Sequence, residues 1–225
     1  MAMTKEEVRR RIEEIGIVPV VRAQSAKQAM AASEAVAAGG VPIVEITMTV
    51  PGAVEVISEL ARTAGGRLLV GAGTVLDVAA ARQCLDAGAE FLVSPGLDVE
   101  TVKFAQRQDK LMMAGALTPT EVIAAWKAGA DIVKVFPCGN VGGPKYIKAL
   151  KGPLPQIPMV PTGGVNLETA AEFIKAGAAA LGIGGEVVSP SALASGNVAE
   201  ITRLAQQFVT IVRGARDQQL ASASR

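Results

Sequence analysis

Four stretches of the chain repeat one pattern, a glycine stop followed by a short apolar run: Gly-Gly-Val-Pro-Ile-Val-Glu-Ile (39–46), Ala-Gly-Ala-Glu-Phe-Leu-Val (87–93), Ala-Gly-Ala-Asp-Ile-Val-Lys-Val-Phe (128–136) and Ala-Gly-Ala-Ala-Ala-Leu-Gly-Ile (176–183). Glycine ends a helix by taking the left-handed conformation without steric cost. An apolar run that barely alternates with polar residues suits a strand covered on both faces. Each stretch therefore reads as a helix-to-strand joint. Further strands are expected near Ile17–Arg22, Arg67–Gly71, Lys110–Gly115 and Ile157–Thr162, which brings the count to eight.

Helix signals fill the intervals. Thr4-Lys5-Glu6-Glu7 is a capping box that opens a helix over 4–15, the Ala-rich run 26–38 favours helix, and 77–87 is helix-like. Pro51 and Pro119 suit first-turn positions after Thr49 and Thr118. Over 197–213, Ile201, Leu204, Phe208 and Val212 recur at helical spacing, as packing on the outside of a barrel requires. Strict alternation of strand and helix predicts a parallel sheet. Eight units without an obvious linker predict a closed (β/α)8 TIM barrel, a single domain over 1–225, rather than an open doubly wound sheet. The N-terminal helix, 1–16, has no place in the eight-unit count and is expected to plug the N-terminal mouth. The end of the chain, 215–225, polar from Asp217 onward, is expected to fray.

Composition narrows the function. The 225 residues are 50% hydrophobic, and Lys+Arg 22 against Asp+Glu 21 leaves a formal charge of +1. No field of one sign is available to hold a polyanion, so nucleic acid is not an expected partner. No apolar run has the length of a membrane span, and the start of the chain lacks the apolar stretch of a secretory signal, so a cytoplasmic protein is expected. Cys84 and Cys138 form neither a Cys-x-x-Cys pair nor a disulfide framework. The chain has no histidine. A Ser-His-Asp triad, a His-ligated zinc and imidazole acid–base catalysis are excluded, which leaves lysine, carboxylates, hydroxyls, cysteine and backbone dipoles.

Two charges stand where charge is expensive. Lys134 interrupts Ile132-Val133-Lys134-Val135-Phe136, and Glu45 ends the apolar run Pro42-Ile43-Val44-Glu45-Ile46. If their parity points inward, both lie inside the barrel, where residues from different strand ends converge on one mouth. A desolvated lysine supplies the free amine that attacks a carbonyl and forms a Schiff base, and a facing carboxylate moves protons for it. The alternatives are that Lys134 faces outward and snorkels between helices, or that the two groups form only a structural ion pair. Arg22, Thr74 and Thr162 fall at predicted strand C-termini. Arg22 suits a carboxylate clamp and the threonines hydrogen bonding, although strand-end threonines are common for β-propensity alone. Gly163-Gly164 and Gly184-Gly185 follow the seventh and eighth strands, where barrels frequently bind phosphate; the alternative is a tight-turn role. Cys84 reads as core filler, and Cys138 lies at the mouth with no obvious base to activate it.

Val-Glu-Ile-Thr (44–47), Gly-Ala-Gly-Thr-Val (71–75), Val-Ser-Pro-Gly (93–96), Lys-Val-Phe-Pro (134–137), Pro-Thr-Gly-Gly-Val (161–165) and Gly-Ile-Gly-Gly (182–185), in that order and each at a strand end, resemble the 2-keto-3-deoxy-6-phosphogluconate (KDPG)/4-hydroxy-2-oxoglutarate (KHG) aldolase family over nearly the whole chain. The resemblance implies a class I aldolase that cleaves a 2-keto-3-deoxy sugar acid, 2-keto-3-deoxy-6-phosphogluconate as the first expectation, into pyruvate and an aldehyde (here glyceraldehyde 3-phosphate) without metal or organic cofactor, and a homotrimer. It also implies that Lys134 is the Schiff-base lysine, that Glu45 is the general acid/base, that Thr74, Pro95, Phe136 and Thr162 line a pyruvate pocket, and that the two Gly-Gly turns receive a distal phosphate. Two departures bear on substrate. Thr49 stands where some members have an arginine, so that Arg22 takes over anion binding, and Glu186 stands where some relatives place a phosphate-binding serine. Rival readings are a substrate change to 4-hydroxy-2-oxoglutarate or the phosphogalactonate epimer, a non-catalytic barrel used as a scaffold, and another phosphate-binding barrel such as an isomerase or synthase.

Overall fold

The computed structural model describes residues 3–223. Eight parallel strands, β1 (Ile17–Val21), β2 (Ile43–Thr47), β3 (Leu69–Gly73), β4 (Phe91–Val93), β5 (Leu111–Ala116), β6 (Ile132–Val135), β7 (Met159–Pro161) and β8 (Leu181–Ile183), lie in the order β7-β6-β5-β4-β3-β2-β1-β8. A parallel bridge between Thr162 and Gly182 brings the two ends together, so the sheet closes into the expected barrel. The helices α2 (Ala26–Ala38), α3 (Ala53–Ala64), α4 (Val78–Asp86), α5 (Val99–Arg107), α6 (Pro119–Ala128), α7 (Pro144–Lys151) and α8 (Ala170–Lys175) connect successive strands, and α9 (Pro190–Ser195) and α10 (Val198–Ala223) follow β8. Every strand residue is buried, as a sheet covered on both faces requires.

Side-chain parity can be followed around the whole barrel. Partners in a parallel ladder point to the same face. Glu45 pairs with Gly71, Gly71 with Phe91 and Phe91 with Leu111. On the same face of β5, Gly115 pairs with Lys134 and Lys134 with Val160. Thr162 bridges to Gly182, Gly182 pairs with Val18, and Val20 on that face pairs with Glu45. The cycle returns to its starting residue without a contradiction, so Glu45 and Lys134 share one face. The crowding at Gly71 and Gly73, where an added Cβ would strike the Phe91 ring and the Glu45 side chain, identifies that face as the interior.

The N-terminal helix α1 (Lys5–Ile15) carries the expected Thr4–Glu7 capping box. It buries Val8 and Ile12 and packs on both β1 and β5, strands on opposite sides of the barrel, so it covers the N-terminal mouth. Arg11 fixes it there by donating to the carbonyls of Arg67 at 2.6 Å and Gly66 at 3.1 Å, and Lys5 pairs with Asp131 at 3.1 Å. With one end sealed, access to the interior is left to the C-terminal ends of the strands.

Three local expectations are corrected. Pro119 is a first-turn proline capped by Thr118, but Pro51 lies in a turn ahead of α3, whose N-cap is Gly52. In the first helix-to-strand joint it is Gly40, not Gly39, that takes positive φ; Gly39 is required instead by the close approach of α10, because a Cβ there would strike Ala205 and the Thr202 carbonyl. The polar tail expected to fray is helical through Ala223. Arg216 donates to the carbonyls of Glu13, Glu14 and Ala179, and Gln219 to that of Ile174, which pins α10 across the barrel wall. Residues 224–225 lie outside the described residues.

Candidate active site

In a ring of eight strands, β2 and β6 face one another. Their inward charges meet in the middle: Lys134 Nζ lies 3.5 Å from Glu45 Oε1, with side chains 5% and 3% exposed. This contact lacks the alignment of a hydrogen bond, and Glu45 Oε1 has no hydrogen-bond partner among the described residues. An ion pair this dry is held at a desolvation penalty that its Coulomb attraction does little more than offset, so stability alone is a weak reason for it.

Three interior glycines make room for the groups around the pair. A Cβ on Gly73 would occupy the place of the Glu45 carboxylate, one on Gly182 the place of the Thr162 hydroxyl, and one on Gly115 the place of the Pro95–Gly96 backbone. Gly115 is the register partner of Lys134, so the Pro95–Gly96 turn folds in beside the amine. Ser94 holds that turn: its hydroxyl donates to the Gly96 carbonyl at 2.6 Å and accepts from the Gly115 N–H at 3.3 Å.

The structure gathers the other nominated residues around the same end of the barrel. The Phe136 ring stands over Lys134, with its centroid 5.6 Å from Nζ, and the Phe136–Pro137 peptide is cis. Thr162 projects inward, 4% exposed, and its hydroxyl, like Glu45 Oε1, has no hydrogen-bond partner among the described residues. Thr74, directly after β3, has φ 59, a conformation that a β-branched side chain rarely adopts. Gly163 and Gly164, with φ 84 and 77, form a turn stacked on the one after β6, where Cys138 and Gly139 N–H donate to the Thr162 and Gly163 carbonyls, each at 2.9 Å.

Arg22 does not join the central pair. It is exposed at the mouth, its guanidinium forms no hydrogen bond or ion pair among the described residues, and Nη1 lies against Gly184, 3.0 Å from where a Cβ would stand. The turn after β8 closes through Val187 and Val188 N–H to the Gly184 carbonyl, leaving Gly185 and Glu186 exposed and without hydrogen-bond partners among the described residues. A free cation, an open glycine turn and one carboxylate thus lie at the β1 and β8 ends. Burial pushes the Cys138 thiol up to about 12 and the Cys84 thiol up to about 11, so both stay protonated at neutral pH and are poor nucleophiles.

Ser94, Gly73 and Gly115 were not among the candidates singled out from sequence. Their signal was Ser94 inside Val-Ser-Pro-Gly and glycine within otherwise apolar strands, which marks close approach of other groups.

Residues 8–204 match the family model for KDPG and KHG aldolase. The 2-dehydro-3-deoxy-phosphogluconate aldolase of Treponema pallidum strain Nichols is 34% identical over 202 residues, 89% of this chain and 95% of the relative. The KHG/KDPG aldolase of Escherichia coli strain K12 is 33% identical over 194 residues, covering 86% and 90%. Among solved structures, the KDPG aldolase of Legionella pneumophila, with pyruvate captured as a covalent carbinolamine intermediate, superposes with a TM-score of 0.83 at 28% identity, over 89% of this chain and 97% of that one.

The strain at Thr74 is measurable. A residue held in the left-handed region costs about 1–3 kcal/mol, part of which is regained by glycine's greater freedom when unfolded. Thr74→Gly is expected to raise the unfolding free energy by about 1 kcal/mol. A loss of stability in denaturant titration would mean that the conformation is not strained.

Proposed function

Because the chain belongs to the KDPG and KHG aldolase family, we propose that it cleaves 2-keto-3-deoxy-6-phosphogluconate to pyruvate and glyceraldehyde 3-phosphate through a Schiff base on Lys134. The observation that carries this reading is the Lys134 amine 3.5 Å from the Glu45 carboxylate inside the barrel.

In the attacking form the shared proton sits on Glu45 and Lys134 is a free amine. Nζ adds to C2 of the substrate to give a carbinolamine, whose hydroxyl leaves as water with the proton that Glu45 donates, giving a cationic imine and a Glu45 carboxylate. The imine draws the electrons of the C3–C4 bond. As that bond breaks, the C4 hydroxyl proton passes to Glu45, C4 becomes the aldehyde carbon, and the electron pair becomes the C2–C3 double bond of an enamine. Glu45 then returns the proton to C3, and water hydrolyses the imine to release pyruvate and the free amine. Thr162, with an unpartnered buried hydroxyl, is suited to an oxygen of the keto acid. Phe136, Pro95 and Thr74 close the pocket around its three carbons.

Arg22 with the Gly184-Gly185 turn is the place for an anionic terminus, joined by Gly163 and Gly164 as the second turn. Glu186, unpaired among the described residues in the same turn as Gly185, supports a second reading in which the terminus is a carboxylate, as in 4-hydroxy-2-oxoglutarate, since an unscreened carboxylate opposes a dianionic phosphate more than a smaller charge. A barrel serving only as a scaffold has no use for two ionisable groups in its interior.

We also propose a homotrimer. The exposed apolar side chains Leu76, Val99, Ile123 and Val141 follow the C-terminal ends of β3 to β6, and an oligomer contact would cover them. No described helix is long and apolar enough to cross a membrane, and the two buried cysteines are free thiols, in keeping with a cytoplasmic protein.

Borohydride reduction in the presence of pyruvate is expected to add one reduced pyruvate to Lys134, located by peptide mass mapping. Glu45→Gln should still be trapped in this way but should lose at least about a hundredfold in turnover, the low end of what a positioned general acid or base contributes. An unmodified Lys134 would reject the Schiff base, and a Glu45→Gln enzyme of normal turnover would reject the proton shuttle. Light scattering should return three times the 23.0 kDa chain mass; a monomer would reject the trimer.

A further inference from the structure

Among the described residues, Lys134 Nζ meets the Glu45 carboxylate at 3.5 Å and the Phe136 ring, centroid at 5.6 Å, and forms no hydrogen bond. A lysine stem is long and rich in rotamers, so an amine without a hydrogen bond is aimed by whatever packs along its stem. One of those walls is identifiable. Lys134 is the register partner of Gly115, and the inner face of Gly115 is covered by the Pro95–Gly96 peptide, whose atoms stand 2.2 to 2.4 Å from where a Cβ would be.

The peptide reaches that place because of the way Ser94 leaves the sheet. Its N–H donates to the Met113 carbonyl at 3.1 Å, as the pairing of β4 with β5 requires. In a continued parallel ladder the next bond would run from the Gly115 N–H to the Ser94 carbonyl. The Gly115 N–H donates instead to the Ser94 hydroxyl, at 3.3 Å. The side chain stands in for a main-chain acceptor, and the main chain is released to fold inward. The hydroxyl proton goes to the Gly96 carbonyl at 2.6 Å. An N–H only donates and a carbonyl only accepts, so the sense of both bonds is fixed. Ser94 is 2% exposed, which leaves no bulk water to replace either bond.

We propose that Ser94 is a positioning residue for the reaction at Lys134: its two hydrogen bonds hold the Pro95–Gly96 turn as the wall that keeps the lysine stem directed at Glu45. This inference rests on the Schiff-base reading. Ser94→Ala removes both bonds and leaves the buried Gly115 N–H without its acceptor. The nearest relief is to resume the ladder, with the main-chain carbonyl of residue 94 taking that N–H. The turn then swings away from Gly115, and the lysine stem is free to leave its line with Glu45.

The test uses pyruvate alone and so does not depend on which aldehyde the chain prefers. Exhaustive borohydride trapping counts the chains that form the Schiff base, and proton NMR in deuterated water gives the rate of methyl-proton exchange per trapped chain. Ser94→Ala should lower that rate by about ten- to a hundredfold, because a misplacement of about 1 Å can cost a hundredfold. Gly115→Ala keeps the Ser94 hydroxyl but sets a methyl group where the turn lies, and should cause a similar fall. The double variant should be no slower than the slower single variant, since both changes displace the same turn. A merely structural role would lower the number of trapped chains and leave the rate per trapped chain in place. A wild-type rate per trapped chain in Ser94→Ala, or losses that multiply in the double variant, overturns the inference and leaves the Schiff-base reading intact. If Ser94→Ala yields no folded chain, a wild-type rate in Gly115→Ala overturns it equally. Absence of trapping on Lys134 in the wild-type chain overturns both.

Discussion

The function proposed for this molecule depends on two opposite charges held inside a barrel that would be more simply stable without them. Glu45 and Lys134 come from strands on opposite sides of the ring, and their side chains meet across the interior. A buried pair of this kind contributes little to folding, since desolvation consumes most of the attraction. Its value lies in chemistry. In the proposed reaction the amine is free to attack while the proton sits on the carboxyl, and the carboxyl, once it has taken the C4 hydroxyl proton, stands as the acid beside the carbon that must receive it. The rest of the interior is arranged so that this exchange has room: glycines at 73, 115 and 182 hold space for a carboxylate, a turn and a hydroxyl in turn.

The same logic explains what the sequence made visible. A charge within an apolar run stands out because burial should exclude it, and both catalytic candidates were found in that way. The eight-unit barrel was legible from the alternation of glycine stops and apolar runs. Strand ends were less so. Arg67–Gly71 was expected where β3 occupies Leu69–Gly73, because a strand buried on both faces shows no alternation to mark its limits, and a Gly-Ala-Gly end looks like a turn. Ser94, Gly73 and Gly115 were hidden for a different reason: two act by lacking a side chain and the third through a backbone turn, and neither effect has a periodicity. The tail was misread because its polar residues suggest solvation, whereas Arg216 and Gln219 use their polar ends to reach carbonyls of α1, of α8 and of the turn leading into β8.

Around the central pair, the mouth divides its work by charge. Arg22, without a partner among the described residues, offers a positive charge beside the turn after β8, and in the proposed reading Glu186 limits how much negative charge that turn accepts. Substrate choice in this scheme comes from short loops at strand ends, while the reacting groups sit deeper on the strands themselves, where packing fixes their positions.

The central claim is that one amine and one carboxylate act jointly on a bound keto acid. It is tested most directly by proton NMR of pyruvate in deuterated water. The wild-type chain should exchange the methyl protons for deuterium, because enamine formation removes one and the carboxyl returns another from solvent. Lys134→Met should abolish the exchange, and Glu45→Gln should slow it to near the rate in buffer. Exchange at the wild-type rate in either variant, or none above buffer in the wild-type chain, would contradict the account.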